Sequence, residues 1–209
     1  MNNNLLIVGA GQYGQVAKEM AEAMQCFKKV DFLDNNNDIA IGKLCDYEKF
    51  SVLYSNAIVA VENPEMRLNW IKKLEEACYK IAILIHPKAY VAPSAQIMKG
   101  SIIEPMAVIN SGTVISVGCI VSAGAVINHN SYVCDGCHID CNAVVEGNSL
   151  VPVGTYVECG AVFKRQEISA KDLFFEYQKE QNNEHLEKKA ASTGPEPVNG
   201  REYCFEDGM

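Results

Sequence analysis

Two histidines and one glycine-rich turn are the parts of this sequence whose residue types and spacing suit chemistry. His129 lies nine residues before His138, and the turn spans residues 9–14. An imidazole has an unperturbed pKa near neutrality, which suits it to take and return protons as a general base. The position of His129 recurs along the chain with mixed residue types, which indicates an outward-facing side chain. The alternative is that His129 is a surface histidine without a functional role.

His138 stands where the sequence otherwise places an aliphatic residue, as at Val126 and Val144. A polar ring at such a position has either a functional contact or a satisfied structural role. Cys134, Cys137 and Cys141 surround it with a spacing that resembles a zinc site. They occupy different positions of the local repeat, so their side chains do not converge, and no metal site is predicted.

The glycine-rich turn follows an apolar strand and precedes a helical pattern. In this context the GxGxxG spacing lets the backbone approach a phosphate, which the free N–H groups at the helix start then bind. Asp34 follows about twenty residues later, where an acid meets a ribose hydroxyl in dinucleotide-binding folds. Glycines that serve only tight packing are the alternative. The candidate nucleotide-binding residues are Gly9, Gly11, Gln12, Tyr13 and Asp34.

A six-residue period identifies the elements that position both histidines. Aliphatic residues occur at every sixth position from Val91 to Val157, the run closes on Phe163, and a small residue follows four positions after each aliphatic. Neither a long α-helix nor a long alternating strand has this period. Short strands separated by turns have it, with one aliphatic side chain of each repeat in a shared core. Three repeats form one triangular coil, so this stretch predicts about four stacked coils.

The first part of the chain has an α/β pattern. Its glycine turn leads into a helix, and Asn63-Pro64 marks the start of another, with Pro in the first turn. Only one nucleotide-binding half of a dinucleotide fold is evident. The predicted strands are Leu5–Val8, Val30–Leu33, Ala57–Val61 and Ile81–Ile85.

The glycine turn and the hexads together resemble the sialic-acid O-acetyltransferase and UDP-amino-sugar N-acetyltransferase family of hexapeptide-repeat acyltransferases. The resemblance covers residues 5 to about 163. It implies a Rossmann-like half domain followed by a left-handed parallel β-helix, acetyl-CoA as co-substrate, and a nucleotide-linked or sialic-acid-like sugar as acceptor. It also implies a homotrimer and a role in surface-glycan synthesis. For single residues it implies that His129 is the general base, that His138 lies near acetyl-CoA, and that the backbone N–H of Gly147 binds the oxyanion.

Two features depart from the family pattern. Asn130 follows His129 where the family has Asp or Glu; an amide holds a ring tautomer but does not stabilise an imidazolium by charge. Asp135 and Glu146 are two candidate carboxylates for that task. About two coils follow His129, roughly 10 Å of groove, and the family's closing Gly-x-Pro-Ala-Lys segment is missing. The distal end of acetyl-CoA is therefore expected to have fewer contacts.

Composition limits the remaining possibilities. The 209 residues carry a net charge of -8 and no basic run, which argues against a nucleic-acid surface. The nine cysteines are an odd number, and the hexads explain several of them, so we expect reduced thiols in the cytoplasm. The apolar run at residues 5–8 is too short for a signal peptide or a membrane span, so no membrane insertion is predicted.

The sequence predicts three parts. Residues 1–86 form the nucleotide-sugar-binding domain, residues 87–165 form the β-helix acyltransferase domain, and residues 166–209 form a C-terminal helix and tail. The tail helix, at residues 169–189, is expected to dock on the open end of the β-helix, where a sheet edge is unpaired. Two other functions remain open: a non-catalytic, nucleotide-sugar-binding trimer, because of Asn130 and the short β-helix, and a dinucleotide-binding protein, because of Asp34.

Overall fold

The structure, a computed structural model, describes residues 3–165 and a short strand at residues 198–199. The predicted tail helix lies outside the described residues. In the described part, no helix has both the length and the apolar content that crossing a membrane requires.

The N-terminal region is a four-stranded parallel sheet with strand order β2-β1-β3-β4. Strand β1 lies between β2 and β3 in the sheet, and its apolar run, residues 5–8, is fully buried, as expected for a parallel strand covered on both faces. Asn63 caps helix α3 as predicted, since its side chain accepts a hydrogen bond from the Met66 N–H at 2.8 Å. The elements are β1 (Asn4–Val8), α1 (Gln12–Ala23), β2 (Lys29–Leu33), a 3-10 turn (Leu44–Asp46), α2 (Tyr47–Phe50), β3 (Asn56–Val59), α3 (Pro64–Glu76) and β4 (Lys80–Ile81).

The predicted strand Ile81–Ile85 is in fact two strands in different sheets. Lys80–Ile81 pairs with β3, whereas Leu84–Ile85 pairs with Ile102–Ile103. Residues 81–85 are all apolar, so the sequence carries no mark of the break. The chain therefore enters its second region at Leu84, slightly before the predicted boundary after residue 86.

The second region is a left-handed parallel β-helix with three flat faces, which confirms the predicted fold. Its two-residue strands pair in register with the strand eighteen residues further along the chain. We name the faces A, B and C in the order in which the chain visits them. Face A contains β5 (Leu84–Ile85), β8 (Ile102–Ile103), β11 (Ile120–Val121), β14 (His138–Ile139) and β17 (Tyr156–Val157). Face B contains β6 (Tyr90–Val91), β9 (Val108–Ile109), β12 (Val126–Ile127), β15 (Val144–Val145) and β18 (Val162–Phe163). Face C contains β7 (Gln96–Ile97), β10 (Val114–Ile115), β13 (Tyr132–Val133) and β16 (Leu150–Val151).

The β-helix core is a ladder of the aliphatic residues that set the six-residue period. Every one of them from Ile97 to Val151 is at most 1% exposed, and the small residues beside them fill the corners. The turns use left-handed backbone at Gly and Asn, as at Gly118 (φ 65°) and Asn148 (φ 58°), where a side chain other than Asn is strained. The regular corners place residues eighteen apart in vertical columns.

Arg67 joins the two regions. This residue of α3 is fully buried, and its guanidinium donates to the Gly118 and Gly136 carbonyls of the β-helix, at 2.6 and 2.8 Å. Its remaining nitrogen donates to the carbonyls of Val61 and Glu62, both at 2.7 Å. Burial lowers the pKa of Arg67, but these carbonyls satisfy the charge. The contacts hold the start of α3 against face A.

The strand β19 (Val198–Asn199) pairs antiparallel with β7, the first strand of face C. It covers a sheet edge at the N-terminal end of the β-helix.

Candidate functional site

His129 lies at the corner between faces B and C, on the outside of the β-helix. Its side chain is exposed, and its Nδ1 lies 3.3 Å from the side-chain nitrogen of Asn130. Gly147 occupies the same place one coil further along. A Cβ atom at Gly147 would lie 3.0 Å from Nε2 and 3.1 Å from Cε1 of His129. The ring therefore packs over Gly147 because that residue has no side chain.

The backbone N–H of Gly147 makes no hydrogen bond to any residue that the structure describes. At equivalent corner positions of other repeats, the backbone N–H donates to a carboxylate. The Ala123 N–H donates to Glu104 at 3.0 Å, and the Arg165 N–H donates to Glu146 at 2.9 Å. The residue at the equivalent position for the Gly147 N–H is Asn128. Its side-chain oxygen instead accepts a hydrogen bond from the Asn110 side chain. Gly147 thus offers a free donor beside His129.

Neither candidate carboxylate orients His129. Asp135 lies at the corner between faces C and A, where it accepts hydrogen bonds from the Val117 N–H at 2.9 Å and from the Ser116 hydroxyl. Glu146 shares the corner of His129, but its carboxylate accepts from the Arg165 N–H. The side chain that contacts the imidazole nitrogen is the amide of Asn130.

His138 lies on face A, in the wall of a cavity of about 560 Å³ between the two regions. The glycine turn and the start of α3 form one side of this cavity, and face A with its flanking corners forms the other. His138 Nε2 lies 3.0 Å from the Ser122 hydroxyl, and its ring stacks edge-to-face on Tyr156 at 5.1 Å. The lining residues are Tyr13, Glu62, Asn63, Pro64, Glu104, Ser122, Gly136, His138, Asp140, Cys141, Gly154 and Tyr156.

The cavity is acidic. Glu62, Glu104 and Asp140 line it, and no Lys or Arg of the described residues does. Burial raises the pKa of Glu104, whereas the hydrogen bond from the Tyr156 hydroxyl, at 2.5 Å, lowers the pKa of Asp140. The same bond raises the pKa of Tyr156 to about 12. Burial lowers the pKa of His138, so its neutral form is favoured.

Tyr13 reaches into the cavity from the first turn of α1. Its hydroxyl is buried and has no hydrogen-bond partner of good geometry among the described residues, although the Glu104 carboxylate lies near enough to help burial raise the pKa of Tyr13. An unsatisfied buried hydroxyl is costly. It is therefore ready to bond a ligand in the cavity.

The glycine turn combines packing with open space. Gly9 (φ 103°) and Gly14 approach neighbouring backbone so closely that a Cβ would overlap it, whereas Gly11 has open space around it. No side chain caps α1, which begins at the exposed Gln12. Asp34 braces the turn, because its carboxylate accepts from the Ala10 and Asn36 N–H groups, each at 2.8 Å. Gly9 and Gly14 therefore serve close packing, as the alternative states, whereas Gly11 and Gln12 are accessible.

The structure divides the predicted site residues into two groups. His129, Asn130 and Gly147 meet at the B–C corner, whereas His138 and Tyr13 meet in the cavity, next to the glycine turn. A triangular coil places the B–C corner opposite face A, so one chain does not bring the two histidines together. The sequence reading missed the cavity residues Glu104, Ser122 and Asp140. Their signal was a polar column at eighteen-residue spacing beside the histidine that replaces an aliphatic.

Comparisons with known proteins agree with this architecture. Residues 4–74 match the model of the PglD N-terminal domain family. The structure is similar to the acetyltransferase domain of PglB from Neisseria gonorrhoeae in complex with acetyl coenzyme A, with 28% identity, a TM-score of 0.66, and coverage of 79% of this chain and 86% of that one. The same domain in a second structure matches at 25% identity and a TM-score of 0.62, over 79% and 94% of the two chains. The protein is an acetyltransferase.

A third similarity supports the fold of this acetyltransferase. It is to a mutant of perosamine N-acetyltransferase from Caulobacter crescentus in complex with CoA and GDP-perosamine, with 20% identity, a TM-score of 0.55, and coverage of 78% and 89%. Among proteins of curated function, none matches the sequence significantly. The matches support the hexapeptide acyltransferase class. None of these names refers to sialic acid, so that predicted acceptor stays a prediction.

Proposed function

We propose that the protein transfers an acetyl group from acetyl-CoA to an amino group of a nucleotide-linked sugar, with His129 as the general base. The observation that carries this proposal is the close packing of the His129 ring over Gly147, whose backbone N–H has no hydrogen-bond partner among the described residues. A base and an outward hydrogen-bond donor one coil apart, roughly 4.8 Å, are the two groups that acyl transfer requires.

The chemistry is a simple exchange. The acceptor nitrogen forms a bond to the acetyl carbon, the carbon–sulfur bond breaks, and His129 accepts the proton that nitrogen loses and returns it to the departing thiolate. Gly147 donates to the oxygen that gains negative charge. For Nε2 to act as the base, the resting ring carries its proton on Nδ1, so the amide oxygen of Asn130 must face Nδ1. The two amide atoms are nearly isosteric, and turning the amide over achieves this.

The cavity favours an amine over a hydroxyl as the acceptor. Its three carboxylates and the unpaired Tyr13 hydroxyl suit a cationic ammonium group, which must be desolvated before it reacts. The same charges disfavour phosphate, which suits the uncapped start of α1 at Gly11 and Gln12 instead. A nucleotide-linked amino sugar satisfies both ends, with its phosphates at the turn and its amino sugar in the cavity.

The B–C corner that carries His129 also has charges suited to the anionic end of the donor. Acetyl-CoA supplies an acetyl thioester whose far end carries phosphates. At the B–C corner, the cations in the described part are Lys164 and Arg165, both exposed, at the C-terminal end of the column. Arg165 lies one coil beyond Gly147, and the Glu146 carboxylate fixes its backbone N–H. These two cations take the place of the missing closing segment, and Glu146 offsets part of their charge.

The two faces that meet at His129 support the predicted homotrimer. Their outward rows are mostly apolar and only partly buried, which fits a surface that packs against other copies. These rows are Tyr90, Val108, Val126, Val144 and Val162 on face B, and Gln96, Val114, Tyr132 and Leu150 on face C. The proposed reaction requires that the assembly bring the base of one copy beside the cavity of another. The cytoplasmic location and the role in surface-glycan synthesis stay predictions.

Calorimetric titration of acetyl-CoA, followed by an acetylation assay with nucleotide-linked amino sugars and their hydroxyl analogues, tests the proposal. We expect one donor site per chain and product only from the amines. Product from the hydroxyl sugars alone would contradict the amine acceptor. Absence of donor binding at millimolar concentration would contradict the acetyl transfer itself.

The second candidate is a non-catalytic module that binds a nucleotide sugar. The distance between the base and the cavity within one chain favours it, together with the uncharged Asn130. It predicts binding of a nucleotide sugar with no turnover, so acetylated product in the same assay dismisses it. The dinucleotide-binding alternative gains no support from the fold, because the chain enters the β-helix directly after β4.

A further inference from the structure

Gly112 lies one coil before Asn130, at the same place on the B–C corner. A methyl group added at Gly112 would overlap the side-chain oxygen of Asn130. The amide of Asn130 thus occupies space that exists because residue 112 has no side chain. Both residues have left-handed backbone, with φ angles of 67° and 54°.

The same amide contacts His129. Its nitrogen lies 3.3 Å from Nδ1, and no other side chain is seen to bond that ring within the described residues. The imidazole is therefore held between two contacts that depend on glycine: its ring packs directly over Gly147, and its Nδ1 meets an amide that packs over Gly112. A displacement of the amide would remove the partner that sets the ring tautomer.

We propose that Gly112 is a positioning residue for His129: it leaves the room that holds the Asn130 amide against the imidazole. The inference rests on the proposed function of His129. Gly112 itself touches neither substrate, and its effect passes through Asn130. A glycine needed only for its positive φ is the competing explanation.

The chain contains a matched control for that explanation. Gly124 has a φ of 72°, and a methyl group there would overlap the side-chain oxygen of Asn142, which lies one coil further along. This pair lies at the corner between faces A and B, where Asn142 follows Cys141 rather than a histidine. Gly124→Ala therefore imposes the same backbone strain and the same overlap, with no imidazole to disturb.

The experiment compares G112A and G124A by thermal unfolding, steady-state kinetics and the NMR signals of the ring nitrogens of the four histidines. We expect similar losses of thermal stability. Only G112A should shift the His129 nitrogen signals, and it should lower kcat about 10-fold while leaving the KM for acetyl-CoA within a factor of about two. Equal effects of both variants on kcat and on the His129 signals would overturn the proposal.

An Asn130→Ala background gives a second test. Without the amide, a methyl group at residue 112 has nothing to displace, so adding G112A should not lower kcat further. A further 10-fold loss, about the single-variant effect, would show that Gly112 acts by another route. The NMR signals do not depend on turnover. If wild-type protein transfers no acetyl group but the His129 signals still respond to G112A alone, the proposed function fails and the positioning contact stands.

Discussion

His129 and His138 are nine residues apart in the chain, yet they lie in opposite surroundings. His129 is exposed at an open corner, beside a free backbone donor and below two cations. His138 has a side chain that is 17% exposed, and it faces the acidic cavity between the two regions. The B–C corner has the groups for acyl transfer but is open to solvent. The cavity has side chains on both sides that could hold an acceptor but no exposed base. Because the faces of a triangular coil point in different directions, the two histidines of one sequence motif lie in two separate half sites. We propose that a second copy of the chain brings the two half sites together.

The largest effect is expected from removing the base. His129→Ala should lower acetyl transfer by about 10²- to 10⁴-fold, with donor affinity nearly unchanged, because the ring acts on the acceptor proton. Kinetics and calorimetry measure the two quantities. His86→Ala is the control, since His86 lies at the first coil of the β-helix, where its Nδ1 accepts the Lys88 N–H. Full activity of His129→Ala in an intact fold would remove the corner from the mechanism.

Arg67 is the residue whose loss should damage the cavity. Arg67→Ala leaves four carbonyls without their donor, two of them buried and two partly buried, so we expect the free energy of unfolding to fall by about 3–5 kcal/mol. Urea unfolding measures the change. Lys72→Ala, an exposed position on the same helix, should change the stability by less than about 0.5 kcal/mol. Similar stability of the two variants would show that Arg67 does not fasten the regions together.

The corner should recognise the phosphates of the donor, and the cavity should not. Replacing Lys164 and Arg165 by Gln should raise the KM for acetyl-CoA about 10-fold, but leave the KM for acetyl-pantetheine, which lacks the nucleotide, unchanged. Lys88→Gln, an exposed lysine at another corner, is the control. An equal rise for both thioesters would mean that these cations do not bind the phosphates.

The smallest effect concerns the pH dependence of stability. Burial lowers the pKa of His138 in spite of Asp140 and Glu62, which raise it, and Arg67 adds to the lowering. The unfolded chain then binds more protons than the native chain once the pH falls below about 6.5. Stability should decrease from pH ~7.5 to ~5.5, and His138→Gln should reduce that decrease. An identical pH profile for both proteins in urea unfolding would contradict the buried setting of His138.

The sequence predicted the parts of the molecule that repeat or carry a local signal. The six-residue period predicted the β-helix because every repeat has the same geometry, and Asn63-Pro64 predicted the start of α3. The break within residues 81–85 could not be predicted, because an unbroken apolar run is compatible with one strand or two. Arg67 takes a buried position of α3 where the helical period favours an aliphatic residue, so only the carbonyls that meet it in three dimensions explain it.

The candidate site was predictable in part for a similar reason. The resemblance to the acyltransferase family pointed to His129, His138 and Gly147, and the structure brings His129 and Gly147 together because they are eighteen residues apart, one complete coil. The cavity requires Tyr13 from one region to meet Glu104 and Asp140 from the other. No pattern within either region shows that meeting.

Mixing two inactive variants tests the two-copy site most directly. His129→Ala lacks the base, and a protein with both Glu104→Gln and Asp140→Asn keeps only Glu62 of the three carboxylates that line the cavity. If each site takes its base from one copy and its cavity from the next, exchange of subunits between the two should restore acetyl transfer that neither shows alone. If the mixture stays inactive after tagged copies confirm the exchange, the two half sites do not combine across copies, and the proposed arrangement is wrong.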